Sequence, residues 1–380
     1  MGTDIVIIGA GFSGLNLAHA LSKSSPNLSI TLIDRAENYP DNFRADKLEA
    51  DQSRLMREIG TFEYRRPNTK PIGDIIEYRD DSKTRIDTEE QYGLNYSVTV
   101  NLLRQKLPNS ISILQDTVVD IKLTSKGREI HCANRKPLNA RLVVICTGGN
   151  GKLPSLLGMK RYQSKRLRSL SFGFDIRKKD GGNIRFENDL AGVNFYHSKG
   201  RDTISYLTIF PIGDRIRCNL FSQLKPNDPV VKQIRADIFG KLQDYFPNFR
   251  EIMGEIDLAS KVEIMPTQLY RLTNYKTGGI VVVGDEFQSV NPETGTGLSK
   301  ILTEVKLLAL HYIPTWFKNQ DFSRHAINKF YTDKQKLCSD LNSLSIWIYF
   351  YKLAYKNNSF LMKLKETAID NKFYSIIKYL

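Results

Sequence analysis

The chain has 380 residues, 41% hydrophobic and 25% charged, with 55 Lys+Arg against 41 Asp+Glu for a formal charge of +14. This composition fits a globular protein of one large or two medium domains, and excludes a disordered tail or a fibre. Cys132, Cys146, Cys218 and Cys338 stand singly, with no CxxC pair and no histidine at ligand spacing, so neither a metal centre nor an extracellular disulfide framework is expected.

Residues 4–9 (DIVIIG) form an apolar, β-branched run that predicts a strand buried on both faces of a parallel sheet. The run meets the first strand with no basic leader, so a cytoplasmic location is expected. Gly9, Gly11 and Gly14 follow, with Phe12 and Ser13 between them. Leu15, Leu17, Ala18 and Leu21 then recur at helical spacing until Ser24-Ser25-Pro26. A second apolar strand, 29–33, ends at Asp34 and Arg35. In such a strand–turn–helix–strand unit Gly9 makes the tight turn, Gly11 admits a pyrophosphate to the backbone, and Gly14 lets helix and strand pack closely. The diphosphate rests on the helix N-terminus, and Asp34, 20 residues beyond Gly14, would accept from the adenosine ribose. FAD and NAD proteins share this unit, which does not choose between them.

From 41 to 110 the sequence is polar and irregular, with one helix predicted near 100–107. Strands are expected at 111–123, which holds Val118 as a cofactor-binding position, and at 141–146 (RLVVIC), which ends in Thr147-Gly148-Gly149-Asn150-Gly151. Alternating segments between 165 and 225 predict antiparallel strands, and 229–246 predicts one amphipathic helix. GGIVVVGD at 278–285 predicts another buried strand. The remainder is predicted helical and carries half of the net charge, a surplus of seven from residue 300 onward. No nucleic-acid signature accompanies it, so no nucleic-acid partner is expected. Ile346–Tyr355 is too short to span a bilayer; with Lys352, Lys356, Lys363 and Lys365 it suits either packing on its own domain or peripheral contact with an anionic membrane surface.

The strand at 278–285 delivers Gly284-Asp285, followed by Pro292, Gly295, Thr296, Gly297 and a helix predicted to start at Leu298. That helix N-terminus presents amides and partial positive charge. With the N-terminal fingerprint, this segment resembles the flavoprotein aromatic hydroxylase family typified by p-hydroxybenzoate hydroxylase, with relatives among flavin halogenases and geranylgeranyl reductases. The resemblance covers about 1–310. It implies an α/β fold: a Rossmann-like FAD-binding domain made of 1–160 and 262–310, an inserted antiparallel-sheet substrate domain at 161–261, and a helical region at 311–380. It implies FAD as cofactor, with Asp285 on a ribityl hydroxyl, the helix at Leu298 facing the pyrimidine of the flavin, and Arg44 (in FRADKLE, 43–49) approaching the diphosphate.

The implied activity is monooxygenation: hydroxylation of an organic substrate, free or borne on a carrier or protein, through a flavin C4a-hydroperoxide. The cofactor carries that chemistry, so no catalytic side chain is assigned; His19, His131, His197, His311 and His325 fall in no catalytic signature. The halogenase GlyTrp-x-Trp-x-IlePro segment is absent. Tyr206-Leu-Thr208-Ile-Phe210-Pro211 keeps the ends of the reductases' Tyr-x-Trp-x-PhePro segment, which makes a saturating FAD-dependent reductase the alternative, with a flavin-binding protein without turnover a third. Tyr206, Thr208 and Phe210 are expected on the substrate side. The family's Asp-Gly motif after the 141–146 strand is replaced by Thr147-Gly148-Gly149, and no second GxGxxG is present. Transient NAD(P)H or a separate flavin reductase is therefore the expected source of electrons. NADPH alone should bleach the flavin slowly in anaerobic stopped-flow, and faster with substrate or a reductase; rapid bleaching by NADPH without substrate would contradict this.

Overall fold

The protein is described here by a computed structural model covering residues 2–44, 46–65, 69–79, 82–86, 90–124, 127–149, 151–182, 184, 192–196 and 203–355. Asn150, His197, Lys356, Lys363 and Lys365 lie outside the described residues, as does the side chain of Lys352.

The first sheet is the predicted parallel one. Strand Gly2–Ile8 lies between Ile30–Asp34 and Leu138–Ile145, and Ile111–Gln115 extends it beyond Ile30–Asp34. Leu138–Ile145 shares its other edge between two neighbours: Leu138–Ala140 pairs antiparallel with Arg128–Ile130, and Val143–Ile145 pairs parallel with Ile280–Val282. The continuous apolar runs match their place, since Ile5, Val6, Ile7, Leu142, Val143, Val144 and Val281 have no exposed surface. Helix Phe12–Ser24 ends where Ser24-Ser25-Pro26 predicts.

The predicted strand at 111–123 is two strands on opposite sides of the sheet. Ile111–Gln115 lies beside Ile30–Asp34, and Val118–Thr124 pairs with Gly127–Cys132. Asp116 breaks them: its buried carboxylate accepts from Thr117 N at 2.7 Å and from the Arg135 guanidinium at 2.9 Å, a local alternative to strand bonding. The 229–246 helix is likewise two, Pro229–Ala236 and Ile238–Tyr245. Asp237 between them caps the second by accepting from Gly240 N at 2.8 Å.

The second sheet is antiparallel in its main body. The 19-residue strand Lys160–Lys178 pairs with Arg215–Ser222, which pairs with Ile204–Ile212 and then Gly192–Tyr196. Two sets of strands that the sequence places in the first domain belong to this sheet. Ile75–Arg79 and Ser82–Ile86 extend its edge beyond Gly192–Tyr196, and Glu263–Thr273 pairs with Lys160–Lys178. Both long crossings between the sheets thus carry strands of the second one. A third sheet of Asp46–Leu48, Gln91–Leu94 and Lys70–Ile72 lies between them, where the sequence reads only irregular chain. Its strands of three or four residues are too short to show a period.

Each large sheet has its own core. The first joins the parallel strands to Phe12–Ser24, Gly297–Leu307 and the helices to Tyr331, with Trp316, Phe330 and Tyr331 buried in it. The second packs Phe172, Phe174 and Phe195 against Ile234, Ile238, Leu242 and Phe249. The C-terminal region is helical as predicted through residue 355, the last described. In its last described helix, Lys334–Tyr355, Trp347 and Ile348 pack on Leu167 and Leu269 while Tyr349 is exposed. Among the described residues no helix is long and apolar enough to cross a membrane.

Candidate functional site

At the carboxyl edge of the parallel sheet the strands end level. Ile8 pairs with Ile33 and Ile145, and Ile145 with Val282. The chain leaves this row through Gly9, Asp34, Cys146 and Gly284, so four turns meet. Gly9 holds φ +102°, and a Cβ there would stand 2.5 Å from the Cys146 carbonyl oxygen. A Cβ on Gly14 would stand 2.0 Å from the Gly9 carbonyl oxygen, so both glycines are required by packing. Gly11 differs, with nothing within 4 Å of where a Cβ would lie. Helix Phe12–Ser24 has no side-chain cap and no acid in its first turn, which leaves its amides to an anion. Asp34 accepts from Ala10 N at 2.6 Å and Ala36 N at 2.8 Å. Arg104, unmarked in the sequence, donates to Ala10 O at 2.9 Å and stands 3.7 Å from the Asp34 carboxylate.

The second motif closes on the first. Gly284, at φ +65°, has Ser13 Oγ 3.0 Å from the position of a Cβ. Its N–H donates to Glu304 at 2.6 Å, and Lys300 donates to its carbonyl at 3.3 Å. Glu304 also receives Lys300 at 2.8 Å and Lys336 at 2.7 Å, and Lys336 bonds Asp340 at 3.0 Å. Burial alone would raise the Glu304 carboxyl, but the two ammonium groups hold it below its ordinary range. This buried cluster ties the turn to the helices on both sides of it. The Asp285 carboxylate accepts no hydrogen bond from the described residues; burial raises its pKa, against the pull of Arg44 and Lys300. After Pro292–Thr294, Gly295 takes φ +66° and Thr296 precedes helix Gly297–Leu307, one residue earlier than predicted. That helix start too has no side-chain cap and no acid, and a Cβ on Gly297 would meet nothing within 4 Å. Thr296 Oγ1 donates to Ser343 Oγ at 2.8 Å, a link to the C-terminal helix.

Between these turns and the second sheet lies a cavity of about 490 Å3. Arg44, Asp285, Pro292, Gly295, Gly297 and Leu298 line it, as do Tyr206, Thr208 and Phe210 at alternate positions of one strand. Arg44 bonds Asp46 at 2.9 Å and lies 4.1 Å over the Tyr96 ring, on which Phe12 stacks at 5.6 Å. Tyr206 donates to the Glu293 carbonyl at 2.9 Å and stacks on Phe350 at 5.8 Å. Arg35 is exposed and Val118 half-buried, and neither lines the cavity. Val118 does follow by two residues Asp116, whose N–H donates to Asp34 O at 3.0 Å. His19 is buried against Leu103 O at 2.8 Å, its pKa lowered by burial.

Sequence reasoning missed three features. The departure from the family pattern at Thr147 has a partner: Thr147 donates to Glu286, which Arg161 also meets at 2.6 Å. Glu293 is buried at 2% exposure, and its Oε2 accepts from Gln223 at 2.6 Å and Asn291 at 3.0 Å. Burial pushes its carboxyl up to about 7 against the lowering by those hydrogen bonds. Lys47 also lines the cavity. No local signal marks these residues, because their partners lie far away in sequence or their environment is set by the tertiary fold.

Two bare helix N-termini with open glycine positions, a carboxylate with no bond of its own and an arginine between them form a donor set for a molecule with a central diphosphate, ribose and ribityl hydroxyls and a polar ring. FAD fits that set. The family model for lycopene cyclase protein matches residues 4–198, and that for squalene epoxidase matches 203–373. Ubiquinone hydroxylase UbiM of Neisseria meningitidis is 23% identical over 365 residues, 88% of this chain and 74% of its own. Squalene epoxidase erg1 of Schizosaccharomyces pombe is 22% identical, over 97% of this chain and 82% of its own. The flavin-dependent brominase Bmp2 superposes with a TM-score of 0.74 at 16% identity, covering 96% and 92% of the two chains. For p-nitrophenol 4-monooxygenase of Pseudomonas putida the TM-score is 0.73 at 13% identity, covering 95% and 92%. These solved structures share the fold.

Two substitutions separate packing from binding. Gly14→Ala should lower the melting temperature, because its Cβ meets backbone. Gly11→Ala should fold normally yet lose flavin on gel filtration; retention equal to wild type would make Gly11 a turn residue only. Glu293 gives a pH test. Its folded value of about 7 lies above the ordinary 4.5, so in that interval the folded chain holds a proton the unfolded chain has released. Its stabilising contribution is complete below the unfolded value and is lost as pH rises through the folded one. Glu293→Gln should thus gain stability relative to wild type between about pH 5 and about pH 7.5 in urea titrations; an unchanged difference would contradict the assignment.

Proposed function

We propose, from the premise that this chain belongs to the flavoprotein family matched by the lycopene cyclase model, and with it to the flavoprotein hydroxylases, that it hydroxylates an organic substrate held between the Gly295–Leu298 turn and the Tyr206–Phe210 strand. The chain is an FAD-dependent oxidoreductase of the monooxygenase type. The observation that carries the reading is the shared cavity: Arg44, Asp285, Pro292, Gly295, Gly297 and Leu298, expected at the flavin, and Tyr206, Thr208 and Phe210, expected at the substrate, line one space, of a size usual for small-molecule sites.

In this reading the Phe12–Ser24 amides and Arg44 hold the diphosphate, Asp34 a ribose hydroxyl and Asp285 a ribityl hydroxyl. The Gly297 helix start faces the pyrimidine edge and favours negative charge there. When bound, FAD supplies the activation of oxygen. The protein orients the substrate on Tyr206, Thr208 and Phe210, and excludes water through Phe221, Met265, Leu298 and Ile301, apolar members of the lining. NAD(P)H or a separate reductase provides electrons. A saturating reductase is the second reading, on the placement of the Tyr206–Pro211 segment along the cavity.

The purified chain should be yellow and release FAD, not FMN, on denaturation. With the flavin reduced and 18O2 admitted, an accepted substrate should gain one labelled oxygen. A product that gains two hydrogens instead would select the reductase, and a colourless chain that takes up no added FAD would remove both readings.

A further inference from the structure

The turn that leads into the Gly297 helix start is fastened to the second sheet through two residues. Asn291 Oδ1 accepts from Ser169 Oγ at 2.8 Å and from the Glu293 N–H at 3.2 Å. The Glu293 carbonyl accepts from Tyr206 at 2.9 Å, and its Oε2 accepts from Gln223 at 2.6 Å and from Asn291 at 3.0 Å. Ser169 and Tyr206 stand on strands Lys160–Lys178 and Ile204–Ile212, and Gln223 directly follows Arg215–Ser222. Pro292, Gly295 and Gly297 line the cavity, whereas Glu293 does not. Glu293 therefore acts on the cavity only through its neighbours.

No cation acts on this carboxyl among the described residues. Its Oε1 is buried with no hydrogen-bond partner among them, and so is Ser205 Oγ beside it. The charged groups on the elements packed around the turn have other partners. Asp51 accepts from Ser299 at 2.9 Å, and Glu49 closes its capping box with Gln52. Lys336 bonds Asp340 and Glu304, Arg161 bonds Glu286 and Arg217 bonds Asp175. Tyr206 is titratable and touches Glu293, but burial raises its pKa well above the ordinary value, so it stays a donor. Burial likewise pushes the Glu293 carboxyl up to about 7, against the lowering by Ser205, Asn291 and Gln223. As an acid, Glu293 gives its proton to Ser205 Oγ and both bare oxygens are satisfied. As a carboxylate it is a buried anion without a cation, relieved by opening to water.

We propose that Glu293 is a positioning residue: as a neutral acid it clamps the Asn291–Thr294 turn to the second sheet, and the Gly295–Gly297 end keeps the geometry that receives the flavin only while that clamp is closed. This rests on the reading of the Gly297 helix start as the flavin side of the cavity.

Hydrogen exchange at the Gly295–Leu298 amides, in the full chain free of FAD, tests the clamp directly. Wild type is compared with Glu293→Gln, whose amide oxygen replaces Oε2 and whose NH2 meets Ser205, so that it keeps the neutral form at every pH. Taking the ratio of the two rates at each pH cancels the base catalysis of exchange. A group whose pKa is higher in the closed state holds it fully at low pH and releases it as pH rises. The ratio of wild type to Glu293→Gln should thus be about one at about pH 6 and reach about tenfold or more by about pH 8.5. The FAD dissociation constant should follow, weakening in wild type about tenfold over that interval and staying level in Glu293→Gln. Glu293→Ala should exchange fast at both pH values. A ratio that does not change with pH, or slow exchange in Glu293→Ala at about pH 6, overturns the inference; should Glu293→Ala fail to fold, the first comparison decides. A chain with the expected exchange that takes up no FAD defeats the flavin reading and leaves the clamp standing, whereas pH-independent exchange in a chain that binds FAD defeats the clamp alone.

Discussion

The rest of this structure depends on one row of backbone pairing. Ile8, Ile33, Ile145 and Val282 stand side by side in parallel strands, and parallel strands all release their chains at the same edge. Gly9, Asp34, Cys146 and Gly284 are therefore neighbours although the outermost pair is separated by most of the sequence. Ligands of open α/β sheets bind outside the carboxyl ends of strands for this reason. The short strand Ile280–Val282 is the least obvious member, with three residues, yet it alone carries the second motif to the first.

So short a strand would hold its turn poorly by ladder bonds alone. The buried cluster of Lys300, Glu304, Lys336 and Asp340 supplies the rest, since Glu304 takes the Gly284 N–H and Lys300 its carbonyl. A buried ion cluster adds little net stability over apolar packing, but breaking it by removing one member costs about 3–5 kcal/mol. Its effect is on geometry: it fixes the turn bearing Asp285 relative to the helix start at Gly297 and to the C-terminal helix. Two lysines beneath an otherwise acidic turn also explain why the cluster tolerates Glu304 as a carboxylate in a site with no water contact.

The sequence made the fingerprint legible because everything it needs is local: strand, turn and helix lie within a few residues, and each glycine has a steric task. The second motif was legible by family resemblance, through Asp285, Pro292, Gly295 and Gly297. The parallel and antiparallel strands followed from periodicity, and their arrangement as an α/β fold with an inserted sheet from the resemblance. What stayed hidden was non-local. The strands of residues 46–94 are short and charged, Ser82–Ile86 being exposed throughout, and show no period. Asp116 and Asp237 interrupt apolar patterns by bonding to nearby backbone. Glu286 stood unmarked in the sequence until the fold set it against Thr147 and Arg161, as did Lys47 until Gly93 brought its sheet against Pro211.

The central claim is that the two distant motifs enclose one flavin, whose ring faces the Tyr206–Phe210 strand. A crystal structure of the chain loaded with FAD tests this most directly. The account predicts the diphosphate against Gly11 and the Phe12–Ser24 amides, Asp285 on the ribityl chain, and the pyrimidine edge at the helix beginning with Gly297. A flavin ring lying outside the cavity, or a diphosphate away from Gly11, would contradict it.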